Sequence, residues 1–171
     1  MSLRHFLVVP ALLCATTAFA QMPRSAHADL MNAAGAKIGT ATITPTSMGV
    51  KIDLNVSQLP PGTHAVHIHT VGKCEGPAFA SAGGHLNPEG KMHGKDNPMG
   101  PHAGDLMNFD VDSTGNAHVM VVAEHVTLGD GPNSLFHEGG TALMIHAMAD
   151  DYKTDPTGNA GGRIACGVIE K

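Results

Sequence analysis

From Ala26 onward the apolar positions fall in short extended runs, and no stretch carries a helical 3.6-residue period. Ala26 to Met31, Lys37 to Thr44 and Val50 to Val56 read as strands, separated by turns at Ala34-Gly35 and Pro45 to Gly49. The third is the clearest: Ile52, Leu54 and Val56 alternate with Lys51, Asp53 and Asn55, which gives one apolar and one polar face. Leu59-Pro60-Pro61-Gly62 turns the chain into a fourth strand, Thr63 to Thr70. Residues 71–104 then break the rhythm. A run this long in a compact domain is functional or mobile, and Cys74 and its histidines predict one ordered by cross-links. Leu106 to Val111 and Ala117 to Val122 flank a hairpin turn at residues 112–116, and residues 123–140 form a second long connection. Thr141 to Ala147 and Ile164 to Ile169 are the last strands, on either side of a Gly-rich loop at residues 149–162. This spacing predicts an all-β domain: an eight-stranded Greek-key barrel or sandwich, immunoglobulin-like, with two long functional loops.

The first twenty residues stand apart. Arg4, the apolar run Phe6 to Leu13 and Ala18-Phe19-Ala20 have the order of a secretory signal peptide cleaved before Gln21. The expected organisation is therefore a signal peptide at residues 1–20 and one domain at 21–171, periplasmic or secreted. The leader's apolar run is too short to span a bilayer, and no other stretch reaches the roughly 20 apolar residues a transmembrane helix needs.

Composition narrows the function classes. Loss of the leader removes Arg4 and no acid, so the formal charge moves from −5 to −6. A mildly acidic domain without basic clusters argues against nucleic acid and anionic membranes as partners. Without Trp, and with one Tyr, stacking platforms for sugars or bases are disfavoured. Maturation leaves Cys74 and Cys166. In an oxidising compartment two thiols most simply form one disulfide, here closing a loop worth up to roughly 4–5 kcal/mol in the chain-entropy model, against the alternative of two separate buried thiols.

The candidate chemistry lies in the fourth strand and the loop after it. In Gly62-Thr63-His64-Ala65-Val66-His67-Ile68-His69, His67 and His69 share one face of a strand while Val66 and Ile68 occupy the other. Paired imidazoles backed by aliphatics suit a metal ion better than core packing. His85, His93, His102 and Asp105 follow, a His3Asp set suited to zinc. His67 and His69 need further ligands, and His146 is the best remaining candidate. A fourth imidazole requires a histidine shared between two sites, and His85 sits between the clusters in sequence.

These motifs, with Gly72-Lys73-Cys74, Ser81 to Pro88, Pro101 to Leu106 and Gly158 to Ile169, closely resemble copper/zinc superoxide dismutase, and the resemblance covers nearly all of the chain after the leader. It implies one copper, on His67, His69, His85 and His146, and one zinc, on His85, His93, His102 and Asp105, with His85 bridging. It implies a Cys74–Cys166 disulfide and dismutation of superoxide to dioxygen and hydrogen peroxide by a redox-cycling copper. His85 would pass a proton to the product, Arg163 would attract the anion beside copper, and Asp150 would link His67 to His93, with the adjacent Asp151 one register step away. The loop at 149–162 is short against the eukaryotic branch, which leaves steering to Arg163 and Lys153 or to residues elsewhere in the chain. Dimer interfaces vary across the family, so a homodimer stays open.

His64 points away from His67 and His69 and reads as structural; His118, His125 and His137 read as solvated, and His27, near the expected mature N-terminus, has no partner in the sequence that would make it an auxiliary metal site. The rival function is a non-catalytic copper-binding or copper-donor module on the same scaffold. Relatives of that kind lose a copper ligand, the bridge or the arginine, and here all are present. A purely structural β-sandwich leaves the histidine cluster unexplained.

Overall fold

A computed structural model describes residues 25–171; the expected leader, residues 1–20, lies outside them. Nine strands follow in order: β1 (Ala26–Asn32), β2 (Lys37–Thr46), β3 (Gly49–Val56), β4 (Gly62–His64), β5 (Val66–His69), β6 (Phe109–Val111), β7 (Ala117–Ala123), β8 (Ala142–His146) and β9 (Arg163–Val168). The helical content of the described residues is one 3-10 turn, Ala80–Ala82, so no helix there could cross a membrane. Seven strands form one antiparallel sheet in the order β5-β8-β9-β1-β2-β3-β7, and β4 pairs with β6. The order crosses over as a Greek key does, and β4 and β5 link the two sheets at one corner.

The fourth expected strand, Thr63 to Thr70, is divided, so eight expected strands become nine. Ala65 is the break. Its N–H donates to the Met148 carbonyl and its carbonyl accepts from the His146 N–H, while β4 pairs with β6 and β5 with β8. No Gly or Pro marks the corner at Ala65, so turn chemistry in the sequence gives no sign of the change of partner.

Alternation accounts for the core. Leu30, Ile43, Ile52, Leu54, Val66, Ile68, Leu143 and Ile145 are fully or almost fully buried in one apolar cluster. All four β5 residues are buried, the aliphatic pair in the core and the histidine pair on the opposite face. That second face needs a cover, and the 71–108 segment provides it. The Cys74–Cys166 disulfide ties that segment to β9, with Cα atoms 5.6 Å apart.

Candidate metal centre

β5 is an edge strand, and the covering loop completes its hydrogen bonding. Ile68 donates its N–H to the Gly104 carbonyl (2.9 Å) and accepts from the Leu86 N–H (2.8 Å); Gly104 N–H in turn donates to the Leu86 carbonyl (2.9 Å). These bonds set His85 against His69 and Asp105 against His67. Gly104 is required by space: a Cβ there would collide with the Ile68 carbonyl. An open strand edge has thus become a scaffold for two loop segments.

The structure brings together every metal-ligand candidate read from the sequence. His67, His69, His85 and His146 each offer a donor atom within 4.8 Å of the others, as do His85, His93, His102 and Asp105. His85 belongs to both groups. In the second group Asp105 Oδ1 lies 2.9 Å from His85 Nδ1, 3.0 Å from His93 Nδ1 and 3.3 Å from His102 Nδ1. With zinc–nitrogen bonds of about 2.0 Å, a tetrahedral site has donor–donor edges of about 3.3 Å. The observed spacings match that size.

In four of the rings the other nitrogen is held, which selects the tautomer. Asp150 stands between the clusters, its Oδ2 accepting from His67 Nε2 (2.7 Å) and its Oδ1 from His93 Nε2 (2.9 Å). His69 Nδ1 donates to the Gly83 carbonyl (2.9 Å) and His146 Nδ1 to the Gly161 carbonyl (3.3 Å). What remains is a set of inward lone pairs. Among the described residues, His67 Nδ1, His69 Nε2, His85 Nε2 and His146 Nε2 are buried without a hydrogen-bond partner, while His93 Nδ1 faces Asp105 Oδ1 at 3.0 Å. A buried unpaired polar atom costs about 1–3 kcal/mol, so four converging on one place fit cation binding and little else. The chemistry agrees: four imidazoles suit copper, and three with a carboxylate suit zinc.

Electrostatics divides the two halves. Burial drives the pKa values of His69 to about 2, His146 to about 3 and His85 to about 4, so these rings are neutral. His93 is also buried, which alone would lower its pKa, but hydrogen bonds to Asp105 and Asp150 outweigh burial and raise it to about 9. Burial works to raise both carboxylates, yet their histidine partners hold Asp105 and Asp150 well below the usual range.

Arg163 lies on β9 at the copper-type cluster. Its guanidinium donates to the Phe79 and Gly83 carbonyls, each at 2.6 Å, and Gly83 is the acceptor shared with His69. Asp151 turns outward and caps its own loop, accepting from the Lys153 and Thr154 N–H groups. His64 is buried with Nδ1 and Nε2 each 2.8 Å from a carbonyl, those of His146 and Pro60. His118 pairs with Asp53 at the surface, and His27 and His125 are exposed. His137 instead is half-buried, Nδ1 on the Glu138 carbonyl and Nε2 buried without a partner.

Sequence reasoning missed the groups that hold Asp150. Asn108 clamps its backbone, donating from Nδ2 to the carbonyl and accepting from the N–H at Oδ1, both 2.9 Å. Tyr152 donates its N–H to Asp150 Oδ1 (2.6 Å) and its hydroxyl accepts from the Asn108 N–H (2.8 Å). Only the position of Asn108, three residues after Asp105, hinted at it; the Gly83 and Gly161 carbonyls have no residue-type signal at all.

The fold and its paired clusters define a two-metal protein: an antiparallel Greek-key barrel with one imidazole shared between neighbouring sites. The pattern of the copper/zinc superoxide dismutase (SODC) family matches residues 37–169, and the chain belongs to that family. It is 56% identical over 146 residues to superoxide dismutase [Cu-Zn] 1 of Aquifex aeolicus, covering 84% of this chain and 86% of that one. A SOD-like protein from Bacillus subtilis superposes with a TM-score of 0.81 at 41% identity, covering 83% of this chain and 96% of that one. The Cu/Zn superoxide dismutase from Brucella abortus gives 0.71 at 28% identity, over 85% and 99%. Copper and zinc are the cofactors of this family.

Proposed function

We infer that this protein dismutates superoxide, and that its ligand sets are those the clusters delineate. Copper is assigned to His67 Nδ1 and to Nε2 of His69, His85 and His146; zinc is assigned to Nδ1 of His85, His93 and His102 and to Asp105 Oδ1. The observation that carries the assignment is the set of buried, unpartnered ring nitrogens converging between β5, β8 and the loop. When bound, copper supplies a one-electron redox couple, so that two superoxide anions and two protons give dioxygen and hydrogen peroxide.

The chain's own residues supply capture, orientation and a proton. Arg163 is a fixed cation on a protein whose net charge is negative, so it concentrates an anion where the field is locally favourable. Asp150 and the Gly83 and Gly161 carbonyls hold the rings with their lone pairs inward. His85 is the one ring in both groups, so its Nε2 is the atom at which a proton can be held beside the nascent peroxide while Nδ1 stays on the zinc side. Both donor sets come from one chain, so metal binding needs no second copy, whether or not a homodimer forms.

The Cys74–Cys166 disulfide and bacterial relatives fit an extracytoplasmic protein. We place it in the periplasm or the secreted fraction after removal of residues 1–20. A copper-donor module on this scaffold is disfavoured, because all four copper-side rings and Arg163 stand together. The test is His146→Ala in protein loaded with both metals. Turnover should vanish with zinc retained at one per chain; turnover equal to the parent's would remove His146 from the assignment.

A further inference from the structure

The 149–162 loop, short for a steering device, presses instead on the zinc-side loop. Gly94 meets Tyr152 and Lys153 backbone to backbone, at a φ of +97°, so closely that a Cβ there would collide with the Tyr152 carbonyl. The Asp96 N–H donates to that carbonyl (3.0 Å), and the Lys95 ammonium sits 4.3 Å from the centre of the Tyr152 ring. The contact delivers a further carboxylate. Asp155 Oδ1 accepts from the His93 backbone N–H at 2.6 Å and lies 3.8 Å from His102 Nε2.

We propose that Asp155 is a positioning residue of the zinc site, a second outer carboxylate that works beside Asp150. His102 turns Nδ1 toward Asp105, which leaves Nε2–H on the side of Asp155, an electrostatic neighbour at 3.8 Å, whereas His93 Nε2–H donates to Asp150 at 2.9 Å. A carboxylate in that place favours the tautomer with Nδ1 free for metal and makes the ring a better donor. Its bond to the His93 N–H fixes the backbone that carries a second zinc ligand. One side chain from the remote loop therefore fixes the backbone of one donor and biases the tautomer of a second by its charge, so the docking of that loop and zinc retention are coupled. Nothing in the sequence around Asp155 marks it for this role, since it reads as one of three acids near Lys153.

The inference rests on the zinc assignment made above, and the experiment separates the two. Zinc-loaded protein is mixed with a chromophoric chelator and the rate of zinc loss is followed for the parent and for Asp155→Ala, Asp155→Asn, Asp155→Glu and His102→Ala. Cobalt(II) is substituted at the same site for its visible spectrum. Asp155→Ala should release zinc about 10–100-fold faster and shift the cobalt bands, and should lower the melting temperature of the zinc-loaded protein more than that of the metal-free protein. Asn keeps an acceptor for the His93 N–H but loses the charge facing His102, so its effect should be smaller, and Glu should restore part of the loss. Parental zinc-loss rates in both the Ala and Asn variants would overturn the inference. So would a drop in metal-free stability equal to the drop with zinc, which marks a merely structural residue. If His102→Ala keeps parental zinc affinity, it is the ligand assignment that falls.

Discussion

His93 shows how two neighbouring carboxylates decide what a single imidazole does. His69, His85 and His146 are neutral through burial, while Asp105 and Asp150 keep His93 protonated up to about pH 9 in the metal-free protein. A zinc ligand must be neutral, so binding zinc between pH 7 and 8 should expel close to one proton per site. Titration calorimetry in buffers of different ionisation enthalpy measures this, and a proton count near zero would contradict the assignment. The same shifts set the stability of the metal-free protein. His69, His85 and His146 have pKa values depressed from 6.5, so the unfolded chain takes up protons first and stability is lost as pH falls below about 6.5. His93 is raised, so its contribution is lost as pH rises through about 9. Urea unfolding should therefore find the metal-free protein more stable at pH 7.5 than at pH 5 or pH 10. Equal or greater stability at pH 5 would refute this. That these histidines converge was legible at this scale, because paired imidazoles on one face of a strand whose other face is aliphatic are costly as mere packing. Which nitrogen each ring turns inward was not, because backbone carbonyls of Gly83 and Gly161 decide it and any residue can provide a carbonyl.

At the scale of elements, the site depends on the edge of β5 being paired with a loop. Gly104→Ala forces a methyl into the Ile68 carbonyl. It should cost roughly 1–3 kcal/mol and weaken both metal sites, because His85 and Asp105 are carried by the two segments that pair there. Denaturant unfolding and metal analysis test this together, and a variant with parental stability and metal content would show that the close approach does not matter. The long irregular run was legible as ordered and functional from Cys74 and its histidines. Its docking register on Ile68 was not, since it consists of backbone bonds across some 18 to 36 residues of loop. The divided strand escaped for a related reason: the chain stays extended from Thr63 to His69 with neither Gly nor Pro at Ala65, and only the partner strands change.

The whole molecule joins a negative net charge to one fixed guanidinium at the copper-type cluster. All-β architecture and the Greek-key order were foreshadowed by alternation and turn spacing, because those patterns report burial on one face. Electrostatic design was only half legible. Arg163 was identified by its motif, but the two carbonyls that aim it come from Phe79 and Gly83 in a distant loop. Arg163→Gln should slow superoxide consumption several-fold and flatten its dependence on ionic strength, since the steering cation is removed while both donor sets stay intact. The most direct measurement is superoxide decay after pulse radiolysis, with the mature protein carrying one copper and one zinc, against protein carrying zinc alone. Rapid decay, first order in superoxide and proportional to the protein added, that requires copper and slows as salt is added is the predicted result. Copper held tightly by the four imidazoles without accelerated decay would contradict it and would make the protein a copper carrier.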